Sequence, residues 1–186
     1  YNEQIAINGL PISDEDFYSL LQSYQELLKK QADDTILQEI TEFEIITALA
    51  YDYFCQQEVD VVIMEVGLGG LLDSTNVCQP DLTAITTIGL DHTAILGATL
   101  ADIAEQKAGI IKERVPGVTG KISSETLAVI HTIAQQHQAS HVCYGKDYQV
   151  ESVQGLEEGE DFLFSNAFRQ KEDYQTVLLG IHQVEN

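Results

Sequence analysis

The sequence predicts an α/β protein: a three-layer, mostly parallel sheet with helices on both faces, plus a small antiparallel β ribbon or sheet near the C-terminus. Three observations lead there. Short apolar, strand-like runs alternate with segments of helical periodicity from Thr41 to Tyr144, the βαβ signature of a covered parallel sheet. Two of those runs end abruptly, in Glu65 with a glycine-rich stretch and in Asp91-His92. From Tyr148 onward the pattern changes to short strand-like segments joined by polar turns.

Each element has a local cause. Residues Tyr1 to Ile12 are short and mixed, with a turn at Asn8-Gly9 and Pro11. Ser13-Asp14-Glu15-Asp16 supplies an N-cap and an acidic first turn, and Phe17, Leu20, Leu21, Tyr24, Leu27 and Leu28 follow at helical spacing. Thr41 caps a second helix that runs through Ile45, Ile46, Leu49, Tyr53 and Phe54. Strands are expected over Asp60–Met64 and Leu82–Ile88, a helix over Leu100–Ala108, a weak strand over Pro116–Thr119, an amphipathic helix over Glu125–His137 and a strand over Ser140–Tyr144. The antiparallel strands are expected at Gln149–Val153, Asp161–Ser165 and Tyr174–Leu179. The boundaries read as 1–147 for the parallel core, 148–180 for the antiparallel element and 181–186 for the start of a helix.

Composition narrows the function. Nine Lys and Arg face thirty Asp and Glu, a net charge of −21, which repels nucleic-acid backbones and anionic membranes. A protein this acidic needs metal ions or helix N-termini to hold a nucleotide. Cys55, Cys78 and Cys143 are widely spaced and form no CxxC pair, so they read as reduced thiols of a cytoplasmic protein. No signal peptide and no membrane-length apolar run is visible, and the chain reads as a piece of something longer, acting as a monomer.

Glu65, His92 and Lys107 are the candidate reactive residues. A carboxylate ending an apolar strand is costly unless paired or bound to metal, although a salt-bridged strand end would also explain Glu65. His92 directly follows a strand, where a lone histidine is equally at home as a surface residue. Lys107 precedes Ala108-Gly109, where its plain role is to complement the helix dipole. Glycines 67, 69 and 70 let backbone approach a ligand closely, or merely turn a corner; their spacing fits neither the dinucleotide fingerprint nor the GxxxxGK[ST] loop.

Together the motifs resemble a known family. Thr41-Glu42-Phe43-Glu44, Glu65-Val66-Gly67-Leu68-Gly69-Gly70, Leu72-Asp73-Ser74-Thr75-Asn76, Gly89-Leu90-Asp91-His92-Thr93 and Lys107-Ala108-Gly109-Ile110-Ile111-Lys112 occur in the order found in folylpolyglutamate and dihydrofolate synthases, Mur-ligase-like ATP-dependent amide ligases. The resemblance spans nearly the whole chain and implies a Mur-ligase central domain. It implies ATP as co-substrate, glutamate and a folate or dihydropteroate as partners, and two Mg2+ ions. Glu65 would ligate one Mg2+, His92 the other, and Lys107, carbamylated, would join His92; these three would be catalytic. Thr41, Glu42, Phe43, Glu44, Leu72, Asp73 and Ser74 would surround the pterin, and Asn186 would touch ATP. The phosphate loop and the C-terminal glutamate-binding domain of the family have no counterpart in this sequence. The family usually carries Arg at position 71, Glu at 106 and Arg at 4, where this chain has Leu71, Gln106 and Gln4. Another Mur-type amino-acid ligase, or a non-catalytic paralogue that only binds ligand, are the alternative readings.

Overall fold

Asn8 and Gly9, both with positive φ (53° and 78°), form the tight turn that an Asn-Gly pair favours between two short strands. In the computed structural model, which describes residues 1–30, 39–156, 159–178, 180, 183 and 184, these are β1 (Ala6–Ile7) and β2 (Leu10–Pro11), paired antiparallel. Two units divide the chain, Tyr1–Val66 and Gly67–Asn186.

The first unit is a helix pair. Helix α1 (Asp14–Lys30) begins with three acids and ends with Lys29 and Lys30, matching charge to dipole at both ends. Helix α2 (Glu42–Gln56) starts with a capping box in which Thr41 and Glu44 satisfy each other's backbone N–H. The two helices bury Leu20, Leu49 and Ala50 with Ile5 and Ile12 of the hairpin, and Phe17, Tyr24 and Ile45 close around them.

The expected strand over Asp60–Met64 does not form a ladder: the segment is extended and unpaired among the described residues. Val61 is 79 % exposed and Ile63 92 %. An apolar β-prone run becomes a strand only when another strand satisfies its N–H and C=O groups, and hydropathy carries no information about that neighbour.

The second unit holds the sheet that was expected, with shorter strands. Strands β3 (Thr83–Ile85), β4 (Gly117–Thr119) and β5 (His141–Cys143) pair in parallel in the order β3-β4-β5. Only Thr83–Ile85 of the expected Leu82–Ile88 strand faces β4 residues, so pairing stops there. The short helix α3 (Thr93–Leu96) and then α4 (Leu100–Ala108) lie between β3 and β4, and α5 (Ser124–Gln136) between β4 and β5. Thr99 and Asp102 form a second capping box at α4. Ala108 of α4 and Ile130 and Ala134 of α5 pack with Ile85 and Ile111 into the core that flanks the sheet.

Strands β6 (Tyr148–Leu156), β7 (Gly159–Asn166) and β8 (Glu172–Thr176) form the antiparallel sheet, with an irregularity between Glu151 and Gln154. Phe162 stacks on Tyr174 at 5.8 Å and Phe164 meets the same ring edge-on at 6.0 Å, cross-strand contacts that fix the register. The third strand ends at Thr176, short of the expected Leu179. Among the described residues no helix is long and apolar enough to cross a membrane.

Ile130 has no exposed surface. Ile130→Ala should therefore destabilise the protein by about 2–5 kcal/mol, read from urea denaturation.

Candidate functional site

The glycine stretch explains itself through the segment it lies on. A Cβ at Gly70 would stand 2.9 Å from both the Gln106 and the Lys107 carbonyl oxygens, and one at Gly109 would stand 2.4 Å from Leu71 Cα. Backbone therefore meets backbone where residues 69–71 cross the end of α4, and Gly70 and Gly109 remove the side chains that would hold them apart. The Leu71 N–H donates to the Gln106 carbonyl at 2.8 Å, an oxygen that also accepts from the Gly109 N–H of the helix cap at 3.3 Å.

Asp73 organises the same loop from within. Its Oδ2 accepts from the Leu68 N–H at 2.8 Å, and its Oδ1 accepts from the Thr75 N–H at 3.0 Å and the Thr75 hydroxyl at 2.6 Å. Burial pushes the Asp73 carboxyl up, but these hydrogen bonds outweigh it and hold the group below its ordinary value. The same bonds cap a 3-10 turn over Ser74–Val77. Leu72, at the crest, is 89 % exposed.

Lys107 sits in the last turn of α4, half-buried, directly under this loop. Its ammonium makes no ion pair or hydrogen bond among the described residues, unusual in a chain with thirty acids. His92 follows β3 in the left-handed conformation (φ 49°, ψ 36°), which costs a non-glycine residue roughly 1–2 kcal/mol. Its N–H donates to Asp91 Oδ1 at 2.7 Å, and its Nε2 stands 3.6 Å from Asp91 Oδ2. A strained residue whose imidazole stays exposed is consistent with a side chain held for a ligand.

The remaining predicted residues belong to the first unit. Thr41 and Glu44 are committed to each other: the Thr41 hydroxyl and N–H both donate to Glu44 Oε2 at 2.7 Å. Those bonds hold the Glu44 carboxyl below its ordinary value. Glu42 accepts from the Tyr1 hydroxyl, and Phe43 is exposed at the head of α2. Glu65 is exposed, with no hydrogen bond or ion pair among the described residues. Asn186 lies outside the described residues. An open cleft of about 600 Å³ in this unit is lined by the hairpin, the end of α2 and residues 59–63, and holds none of the predicted site residues.

Two residues with no role assigned from sequence prove central to the second-unit site. Asn76 and Lys112 tie the loop to the segment after α4, as developed below. Asn76 was visible in the motif; its role was not.

Among the described residues, no three His, Cys, Asp or Glu side chains gather to hold a metal ion. A metal at His92 would therefore need another donor. A neutral or protonated amine does not suit Mg2+, which prefers oxygen, whereas a carbamate on Lys107 would supply it; Glu65 offers carboxylate oxygens without modification.

Residues 19–186 match the family model described as the Mur ligase middle domain, and the chain belongs to that family. Its relatives narrow the likeness. The dihydrofolate synthase/folylpolyglutamate synthase of Bacillus subtilis is 44% identical over 187 residues, which covers 100% of this chain and 43% of that protein. The folylpolyglutamate synthase of Lacticaseibacillus casei is 34% identical over 186 residues, covering 100% of this chain and 44% of that one. Among solved structures, an FPGS–AMPPCP complex superposes with a TM-score of 0.95 at 34% identity, covering 100% of this chain and 46% of that one. A Thermotoga maritima folylpolyglutamate synthase gives 0.88 at 34% identity, with 100% and 42% covered. The chain thus spans less than half the length of these relatives, and the resemblance carried by the motifs holds along all of it.

Because the Asp73 carboxyl is depressed in the fold, its contribution to stability is complete above its unfolded value. It is lost as pH falls through the folded one. Asp73→Asn should lower the melting midpoint at neutral pH, and the gap to wild type should narrow below about pH 3.9 as the native carboxyl protonates.

Proposed function

We propose that this chain is the central part of the ATP-binding domain of a ligase that joins glutamate to a folate or dihydropteroate carboxylate. The observation that carries the reading is the junction of the Gly67–Asn76 loop with the Lys107 turn in one unit, in a chain that aligns end to end with folylpolyglutamate synthases. An FPGS–AMPPCP–folate complex among the structural neighbours, at a TM-score of 0.91, supports ATP and folate as ligands here. The phosphate loop and the glutamate-binding domain would lie in the rest of the protein.

The chemistry is activation followed by aminolysis. A carboxylate oxygen of the pteroate-type substrate attacks the γ-phosphorus of ATP, the bond to the β-phosphate oxygen breaks, and ADP leaves. The glutamate amine then attacks the acyl carbon, loses its proton, and expels inorganic phosphate as the amide forms. Phosphoryl transfer needs positioning and neutralisation of negative charge more than covalent help.

This chain's residues divide that work. Glu65, and His92 with a Lys107 carbamate, would hold two Mg2+ ions, whose charge offsets that of the phosphates in a protein of net charge −21. Phe43 presents an exposed ring suited to stacking on a pterin. Asp73 holds the Leu72 crest of the loop in place through its bonds to Leu68 and Thr75, and that crest would meet the pterin. The cytoplasm and a monomeric state fit the reduced cysteines and the acidic surface.

A non-catalytic paralogue is the second reading, motivated by Leu71 and Gln106. These two positions are bonded to each other, Leu71 N–H to Gln106 carbonyl, so the two departures fall at one contact. The contact is made by backbone atoms and so survives both substitutions, and the family match runs over residues 19–186. The catalytic reading is therefore the stronger.

In the complete protein, supplied with ATP, glutamate and either dihydropteroate or tetrahydrofolate, amide product should form. Glu65→Gln should weaken the metal–ATP interaction, and Lys107→Ala should cut turnover by at least about a hundredfold, the scale of losing a transition-state charge partner. Lys107→Ala within twofold of wild type would overturn the carbamate assignment, and absence of ligation by wild type would favour the paralogue.

A further inference from the structure

We infer that Asn76 is a positioning residue, which locks the substrate-facing loop to the Lys107-bearing turn so that the two move as one body; this rests on the ligase reading above. The Asn76 side-chain amide has two N–H donors, and both are spent on backbone carbonyls from opposite sides of one contact. One reaches the Leu71 carbonyl at 3.2 Å, the other the Gly109 carbonyl at 3.0 Å. Leu71 immediately precedes Leu72-Asp73-Ser74, and Gly109 lies two residues beyond Lys107.

Asn76 is itself fixed on both sides. Its N–H donates to the Asp73 carbonyl at 2.9 Å, and its own carbonyl accepts from Lys112 Nζ at 3.2 Å. Lys112 so placed also brings a cation to the end of α4, where the dipole favours it.

Geometry gives this amide its leverage. Gly70 and Gly109 bring backbone against backbone here, so hydrogen bonds set the register of the loop across the helix end together with the packing of Leu71 against Gly109. The Leu71–Gln106 bond alone would be a pivot. Through the Gly109 carbonyl and Lys112 Nζ, Asn76 adds two more attachments across the contact, which convert the pivot into a rigid joint. A loop free to pivot would misplace the substrate relative to Lys107, and a misplacement of about 1 Å is enough to cost roughly a hundredfold in rate.

The test uses Asn76→Asp in the complete protein. The replacement is isosteric but sets a carboxylate oxygen against two carbonyl oxygens. Amide hydrogen exchange at Leu71 should accelerate by about tenfold or more, the scale of freeing a hydrogen-bonded pair, while exchange at Val118 in β4 stays at the wild-type rate. Turnover should fall by about tenfold or more and the KM for the pteroate substrate should rise, with the KM for ATP within about twofold of wild type. Asn76→Gln, which keeps both donors on a longer arm, should recover part of the turnover, and it decides the matter if the Asp variant fails to fold. Leu71 exchange and turnover both near wild type would overturn the inference, as would a KM for ATP that rises as much as that for the pteroate substrate. If wild type forms no amide, the ligase reading fails instead, and Leu71 exchange alone decides whether Asn76 is the joint.

Discussion

The second unit depends on one close approach: the backbone of residues 69–71 lying against the backbone at the end of α4. At the end of α4 the Gln106 carbonyl accepts from both the Gly109 N–H of the cap and the Leu71 N–H of the loop. Two glycines make the approach possible, Asp73 shapes the loop that makes it, and Asn76 and Lys112 hold it from the side. The consequence is functional. The loop crest at Leu72 is exposed, and the half-buried Lys107, which has no partner among the described residues, lies in the helix turn that the loop crosses.

The site departs from folding economy in ways that suit a ligand. His92 occupies a left-handed backbone conformation with its ring exposed, and Lys107 has no partner among the described residues despite the acidity of the chain. Glu65 is exposed at the end of a segment whose apolar side chains are also exposed. Each would be a small defect in a purely structural protein; under the proposed function Glu65 and His92 would be metal donors kept available, and Lys107 would join them once carbamylated. The acidic surface points the same way, since such a protein holds a nucleotide only with compensating cations.

Much of this was legible in the sequence, for identifiable reasons. The capping boxes at Thr41/Glu44 and Thr99/Asp102 are local patterns, and α4 occupies the span its periodicity predicts. The parallel sheet and the later antiparallel one follow from how the pattern changes along the chain. Asp60–Met64 was misread because a ladder depends on a neighbouring strand, which hydropathy does not report. The bonds of Asn76 to Gly109 and Lys112 were not legible, because they join segments distant in sequence, and nothing in the local pattern marks His92 for a positive φ. The resemblance supplied what neither spacing nor composition could: the expectation that Glu65, His92 and Lys107 serve one chemistry.

The proposed function requires that the substrate carboxylate be activated as an acyl phosphate. The direct test is to supply the complete protein with ATP, glutamate and a pteroate substrate whose reacting carboxylate carries oxygen-18. Each amide formed should release inorganic phosphate bearing one labelled oxygen, taken from the carboxylate. Amide formation with unlabelled phosphate would contradict the account.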